Sequence, residues 1–233
     1  MIAESTNERV IYRSRRIEMR AFLPEKFDRV LEVGCDEGDF LADTTNETWG
    51  VEPVAQAAAS ARSRMYKVLE GTFDSVCDDL PLEYFDVVVC NDVIEHMPDH
   101  HHFLRKIRRH MKPEGVLIGS IPNVRFYRHL YEVLILKDWK YRNLGVLDRT
   151  HLRFFTERSL RRDLIEAGFH IEIFKGINGG LRRMQFGLVG LQIFRALFAC
   201  LLLGLTLGGA RDILYIQFGF RVVKQQQSGG GDG

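Results

Sequence analysis

The sequence has few cysteines and spaces none of them for chemistry. Cys35, Cys77, Cys90 and Cys200 form no CxxC pair and no metal-ligand spacing, which argues against a disulfide framework or a zinc finger. Cys35 and Cys90 adjoin apolar runs, so buried, reduced thiols of a cytosolic protein are expected. A long hydrophobic run is also missing. The uncharged stretch from Ala196 to Ala210 falls short of the roughly 20 residues that a membrane-spanning helix needs. Charge of one sign is missing too. The net charge is +1, so no global field recruits nucleic acid or anionic lipid, and nucleic acid is not an expected partner. Only local patches remain, at Arg13, Arg15 and Arg16 and at Arg182 and Arg183. The first stretch is polar and charged, so no signal peptide is expected.

What is present suits one globular domain. Of 233 residues, 45% are hydrophobic and 27% charged, a balance that supports a buried core. A single domain is expected over residues 1–224, with a disordered tail, rich in Gln and Gly, at 225–233. Residues 8–22 predict a leading helix that Pro24 stops. Short apolar runs predict strands at Arg29–Val33, Thr48–Glu52, Tyr66–Glu70, Phe85–Cys90, Val116–Ile121, Phe169–Phe174 and Leu214–Val223. Helices are expected at Asp39–Thr44, Ala55–Arg64, His100–Met111 and Thr156–Ala167, the last with a threonine N-cap and Gly168 as its stop. Lys112–Gly115 predicts a turn. Strands alternating with helices imply a doubly wound, mostly parallel sheet, which binds ligands beyond the carboxyl ends of its strands.

Polar residues stand where that rule wants them. Leu31-Glu32-Val33-Gly34-Cys35-Asp36-Glu37-Gly38 carries an acid into a glycine turn, where backbone can approach a ligand closely. Gly50-Val51-Glu52 ends the next strand in a carboxylate able to accept both hydroxyl protons of a ribose. Beyond the central strand come Asn91, Asp92, Glu95 and His96. A nicotinamide dehydrogenase competes for a strand, glycine turn and acid, but this turn lacks GxGxxG. Neighbouring histidines on a helix point apart, so His100, His101 and His102 predict no metal site.

The three motifs, with Met111-Lys112-Pro113-Glu114-Gly115-Val116-Leu117 after them, resemble class I methyltransferases that use S-adenosylmethionine. The resemblance covers roughly residues 28–177 and the last strand. It implies a Rossmann-like seven-stranded sheet and S-adenosylmethionine as cofactor. Glu32, Gly34, Cys35, Asp36 and Gly38 would line the methionine portion, and Glu52 would bind the ribose. Thr72 and Phe73 would flank the adenine, and Asn91 and Asp92 would stand between cofactor and acceptor. Asp36 replaces a usual glycine; aspartate tolerates left-handed angles better than most residues, so the turn can survive.

A narrower resemblance lies downstream. Ser120-Ile121-Pro122-Asn123-Val124-Arg125, Trp139-Lys140-Tyr141 and Gly145-Val146-Leu147-Asp148-Arg149-Thr150-His151-Leu152-Arg153 are similar to bacterial methyltransferases of surface polysaccharide assembly. They imply a sugar or glycan acceptor held by Asn123, Arg125, Arg149 and Arg153. Asp148, His96 and His151 would be the catalytic groups, one histidine serving as base. In the other reading, the polar loop forms salt bridges that only fix it. Lipid or quinone-like hydroxyls are the alternative acceptors, and a non-catalytic cofactor-binding protein is the rival class. The apolar insertion (181–210) admits core helices, a homodimer surface, or contact with a membrane or lipid substrate through 186–209. The expected location is the cytoplasm, or the inner face of a membrane.

Overall fold

The computed structural model describes residues 16–179, 189–206 and 209–225. Seven strands form one sheet: β1 (Arg29–Val33), β2 (Glu47–Glu52), β3 (Lys67–Glu70), β4 (Phe85–Asn91), β5 (Met111–Pro122), β6 (Phe169–Gly179) and β7 (Tyr215–Lys224). Their order is β3-β2-β1-β4-β5-β7-β6. The first five run parallel, while β7 is antiparallel to both β5 and β6. The mostly parallel, Rossmann-like sheet of class I methyltransferases is thus present.

Alternation along β4 divides the core. Val87 and Val89 face one apolar cluster with Met19, Phe22, Phe40 and Leu41. Val88 and Cys90 face the other with Phe103, Leu104, Leu160 and Leu164, as a period of two requires. Phe85 shares the face of Val88, because the register between β4 and β5 shifts between Phe85 and Val87. The helices are α1 (Ile17–Arg20), α2 (Ala55–Ala61), α3 (Phe73–Val76), α4 (His100–His110), α5 (Tyr127–Leu134), α6 (Glu157–Glu166) and α7 (Val189–Leu205). Thr156 caps α6 by accepting from the Ser159 amide, and Ser159 returns the bond. Gly168, at φ +82°, follows it.

Several expectations need correction. Asp39–Thr44 forms turns instead of a helix. Gly38, at φ +78°, reverses the chain, and the few residues before β2 are taken up in returning it to the sheet. Lys112–Gly115 belongs to β5, drawn into the ladder by the Phe85–Met111 pair. β6 runs on to Gly179, which pairs with Tyr215. Gln225 is ordered, its amide donating to Gly168. Of the leading helix only Ile17–Arg20 is seen; residues 8–15, like the tail at 226–233, lie outside the described residues. Within the insertion, α7 is one continuous helix despite its glycines. Ala199, Leu202 and Leu203 pack with Phe126, Tyr127, Ala210 and Ile213. Among the described residues, no helix is long and apolar enough to cross a membrane.

Candidate active site

The turn after β1 is tied to the one after β2. The Gly34 and Cys35 amides donate to the Val51 carbonyl at 2.8 and 3.3 Å. The Asp36 and Val54 amides donate to the two oxygens of Glu52, each at 2.9 Å. Glu52 is buried, yet each oxygen keeps a lone pair for a hydroxyl. Asp36 has φ +48°, the left-handed angle expected of it. Gly34 is at φ +71°, and a Cβ there would stand 2.8 Å from Val93 Cγ2, so only glycine leaves backbone open at this point.

A cavity of about 250 Å³ opens beyond these turns. Glu32, Gly34, Cys35 and Asp36 from the end of β1 and the turn after it, Asn91, Asp92 and His96 from the end of β4 and the turn after it, and Gly145, Asp148 and His151 from the polar loop all line it. Leu144, Glu37, Asp39, Phe40 and Arg16 complete it. Asp92, at φ +51°, accepts from Ser120 Oγ (2.9 Å), Gln217 Nε2 (2.8 Å) and the Arg16 guanidinium. Glu32 is buried with Oε2 unpartnered, and neither amide atom of Asn91 has a partner. Burial, then the charge of Asp36, raises the Glu32 carboxyl to about 8.

The two candidate bases meet. The rings of His96 and His151 lie 4.9 Å apart and nearly perpendicular. Nδ1 of His96 faces the Thr150 carbonyl and Nδ1 of His151 the Val146 carbonyl, both at 3.1 Å. A carbonyl can only accept, so each Nδ1 carries a proton, and on a neutral His151 ring the lone pair lies on Nε2. Burial first, and the neighbouring His96 as well, lower the His151 pKa, keeping the ring neutral at pH 7. Glu95 lies behind, buried, with Oε1 3.9 Å from His151 Nε2. Burial and Asp92 push its carboxyl well up. Glu95, His96 and His151 each offer a ligand-type atom within 4.8 Å of the others. Asp148 accepts from the Thr150 amide (2.8 Å) and hydroxyl (2.6 Å), so it shapes the polar loop while lining the cavity.

Other residues singled out in the sequence stand elsewhere. Phe73 is buried against Phe103 at 5.0 Å, and Thr72 is exposed at the start of α3; neither lines the cavity, and nor does Gly38. Asn123 is fully buried and donates to the Asp212 and Tyr215 carbonyls. Arg125 pairs with Asp212 at 2.6 Å, and Arg153 donates to the Leu152 and Pro98 carbonyls. Asn123 has both amide hydrogens committed to protein carbonyls, while Arg125 and Arg153 brace the chain with some of their donors. Arg149 is exposed. His100 and His101 correct the rule that neighbours point apart, their rings being 4.2 Å from each other, with His100 paired to Asp163. Sequence reasoning placed Glu95 beyond the central strand without giving it a role, and it left Arg16 out of the site. The run Asp92-x-x-Glu95-His96 on the turn after β4 was the signal for Glu95.

A sheet of this order with paired acids at the ends of β1 and β2 defines a class I methyltransferase. The chain belongs to the methyltransferase-domain family, whose model matches residues 7–172. It is similar to the ubiquinone biosynthesis O-methyltransferase of Azorhizobium caulinodans, 28% identical over 169 residues, covering 69% of this chain and 66% of that protein. The namesake in Neisseria meningitidis is 26% identical over 196 residues, covering 74% and 76%. The chain thus spans just under two thirds of the first relative's length and about three quarters of the second's. An S-adenosylmethionine-dependent methyltransferase from Archaeoglobus fulgidus shares the fold at TM-score 0.61 and 18% identity, covering 94% and 93%. None of these supports the narrower likeness to enzymes of surface glycan assembly.

The chain carries a methyltransferase domain, and S-adenosylmethionine is the cofactor expected from its sequence motifs. The cavity fits that group on its own chemistry. The unpartnered Glu32 Oε2 suits an ammonium and the bare backbone at Gly34 a close approach, while Glu52, expected to bind the ribose, does not line the cavity and holds the Asp36 and Val54 amides beside it.

Proposed function

We propose that the chain O-methylates a hydroxyl on a quinone-like aromatic ring bearing an apolar tail. The observation that carries this is a neutral, buried His151 whose Nε2 lone pair stands beside the cavity with Glu95 behind it. The cofactor supplies an activated methyl group. The protein must orient the acceptor oxygen and hold its proton. A phenolic hydroxyl, with a pKa near ~10, lies within reach of an imidazole base. An aliphatic sugar hydroxyl, close to water's ~15.7, is far harder to deprotonate. His151 Nε2 would take the hydroxyl proton as the oxygen bonds the methyl carbon and the methyl–sulfur bond breaks, the electron pair staying on the departing thioether, and Glu95 Oε1, 3.9 Å from Nε2, would face the imidazolium.

Two further facts support the acceptor class. The relatives above bear the name of ubiquinone biosynthesis O-methyltransferase. One loop also links cavity to apolar surface: Leu144 and Gly145 line the cavity, while Val146 packs on the cluster that holds α7. Labelled methyl donor should be offered with a polyprenylated catechol, the same catechol without its tail, and a sugar nucleotide. Transfer is expected to the prenylated ring and less to the bare one. His151→Gln should lower turnover by about 10²–10⁴ with cofactor affinity unchanged. Transfer to the sugar nucleotide alone would sink the proposal.

A further inference from the structure

One face of α7 has no described element against it. Leu197, Leu201 and Leu205 are 60%, 58% and 73% exposed and recur every fourth residue, which makes one stripe along the helix. Ala199, Leu202 and Leu203 take the opposite side into the cluster with Phe126 and Tyr127. α5 lies beside this helix, Tyr131 meeting Phe198 at 5.8 Å. The chain leaving α5 is equally apolar and exposed through Leu134, Ile135, Leu136, Trp139 and Tyr141.

Charge and aromatic content decide the occupant. Lys137 and Lys140 are exposed among these apolar side chains. Asp138 is the only acid between residues 133 and 143, and Arg142 is neutralised by Glu132 at 2.9 Å. Trp139 is braced from behind by His129 and Phe154, with ring centroids at 4.7 and 5.4 Å. The centre of an interface between two copies is depleted in lysine. Leucine, tryptophan and tyrosine interleaved with lysine suit the boundary between lipid headgroups and acyl chains. A helix too short to span a bilayer, with one apolar stripe, lies in its plane.

We infer that the α7 stripe and the 134–141 segment together dock on an anionic membrane surface, with leucines entering the acyl boundary and Lys137 and Lys140 meeting headgroups. This holds whichever hydroxyl is methylated, and its test needs no acceptor. The full chain is floated with phosphatidylcholine vesicles, with and without phosphatidylglycerol. Strong flotation is expected only with the anionic lipid. Changing Lys137 and Lys140 to Gln should weaken partition about fivefold for each lysine. The triple change of Leu197, Leu201 and Leu205 to Ser should weaken it by at least about tenfold. Calorimetry with S-adenosylmethionine confirms that each variant is folded. Two results overturn the inference: equal flotation of folded wild type and leucine variant, or a lipid-free dimer that the leucine changes dissociate.

Discussion

At the scale of the residue, the base role proposed for His151 depends on where its ring is held. The Val146 carbonyl fixes the proton on Nδ1. Burial and the nearby His96 lower its pKa below the ordinary value of about 6.5. The ring is then neutral, and competent, throughout the physiological range. The acidic limb of turnover against pH should fall below about 6.5, with a plateau above it. His96→Gln removes a group that opposes protonation of His151, so it should move that limb upward. A pH–rate profile on both forms reads this directly, and an unmoved limb would assign it to another group. The sequence already pointed to Glu32, Asp36, Asn91, Asp92, His96, Asp148 and His151, and all of them line one cavity. Each stands at or just beyond the carboxyl end of a strand or belongs to an unusually polar loop, so position alone marks it. Arg16 could not be found that way. It reaches Asp92 only because α1 packs across the sheet, and that contact has no trace in local pattern. Phe73 fails for the opposite reason: an aromatic after a strand suits a ligand and a core equally well, and here the core takes it.

At the scale of the element, the best-specified helix is α6. Its reciprocal cap between Thr156 and Ser159 satisfies amides that the first turn cannot pair. Thr156→Ala should cost about 1 kcal/mol. Gly168→Ala should also destabilise, because φ there is +82° and an added methyl would run into the Arg108 guanidinium. Urea unfolding midpoints measure both, and an unchanged midpoint for Thr156→Ala would mean the cap is idle. Such signals explain why α6, β1 and β4 were legible: cap, stop residue and β-branched run are local. Asp39–Thr44 and Lys112–Gly115 were misjudged because tertiary pairing overrides them. Helix propensity gives way to a short connection in the first, and a turn-like Pro-Glu-Gly yields to a ladder in the second. α5 went unseen, since its buried residues Tyr127, His129 and Glu132 include two that no apolar pattern would mark.

At the scale of the molecule, burying acids for a ligand has a cost in stability. The Glu32 carboxyl sits at about 8 when folded, against about 4.3 unfolded. Between those values the folded state binds the proton that the unfolded state has lost. Its contribution is therefore full below pH ~4.3 and is lost as pH rises through about 8. Between pH 6.5 and 8, thermal unfolding of the ligand-free protein should show a falling midpoint, and Glu32→Gln should flatten the fall. A midpoint that rises over that window would contradict the assignment. The connectivity has a different consequence. β7 pairs with both β5 and β6, and Gly219 on it lies under Phe22 and Met19. During synthesis the strand that joins these neighbours is made after both of them. Until Tyr215–Lys224 leaves the ribosome, β5 and β6 each present an open edge, and the packing surface for Met19 and Phe22 is incomplete. A nascent chain of this protein therefore cannot close its sheet as it emerges, and it passes through a long interval in which the edges of β5 and β6 are open to chaperones or to mispairing.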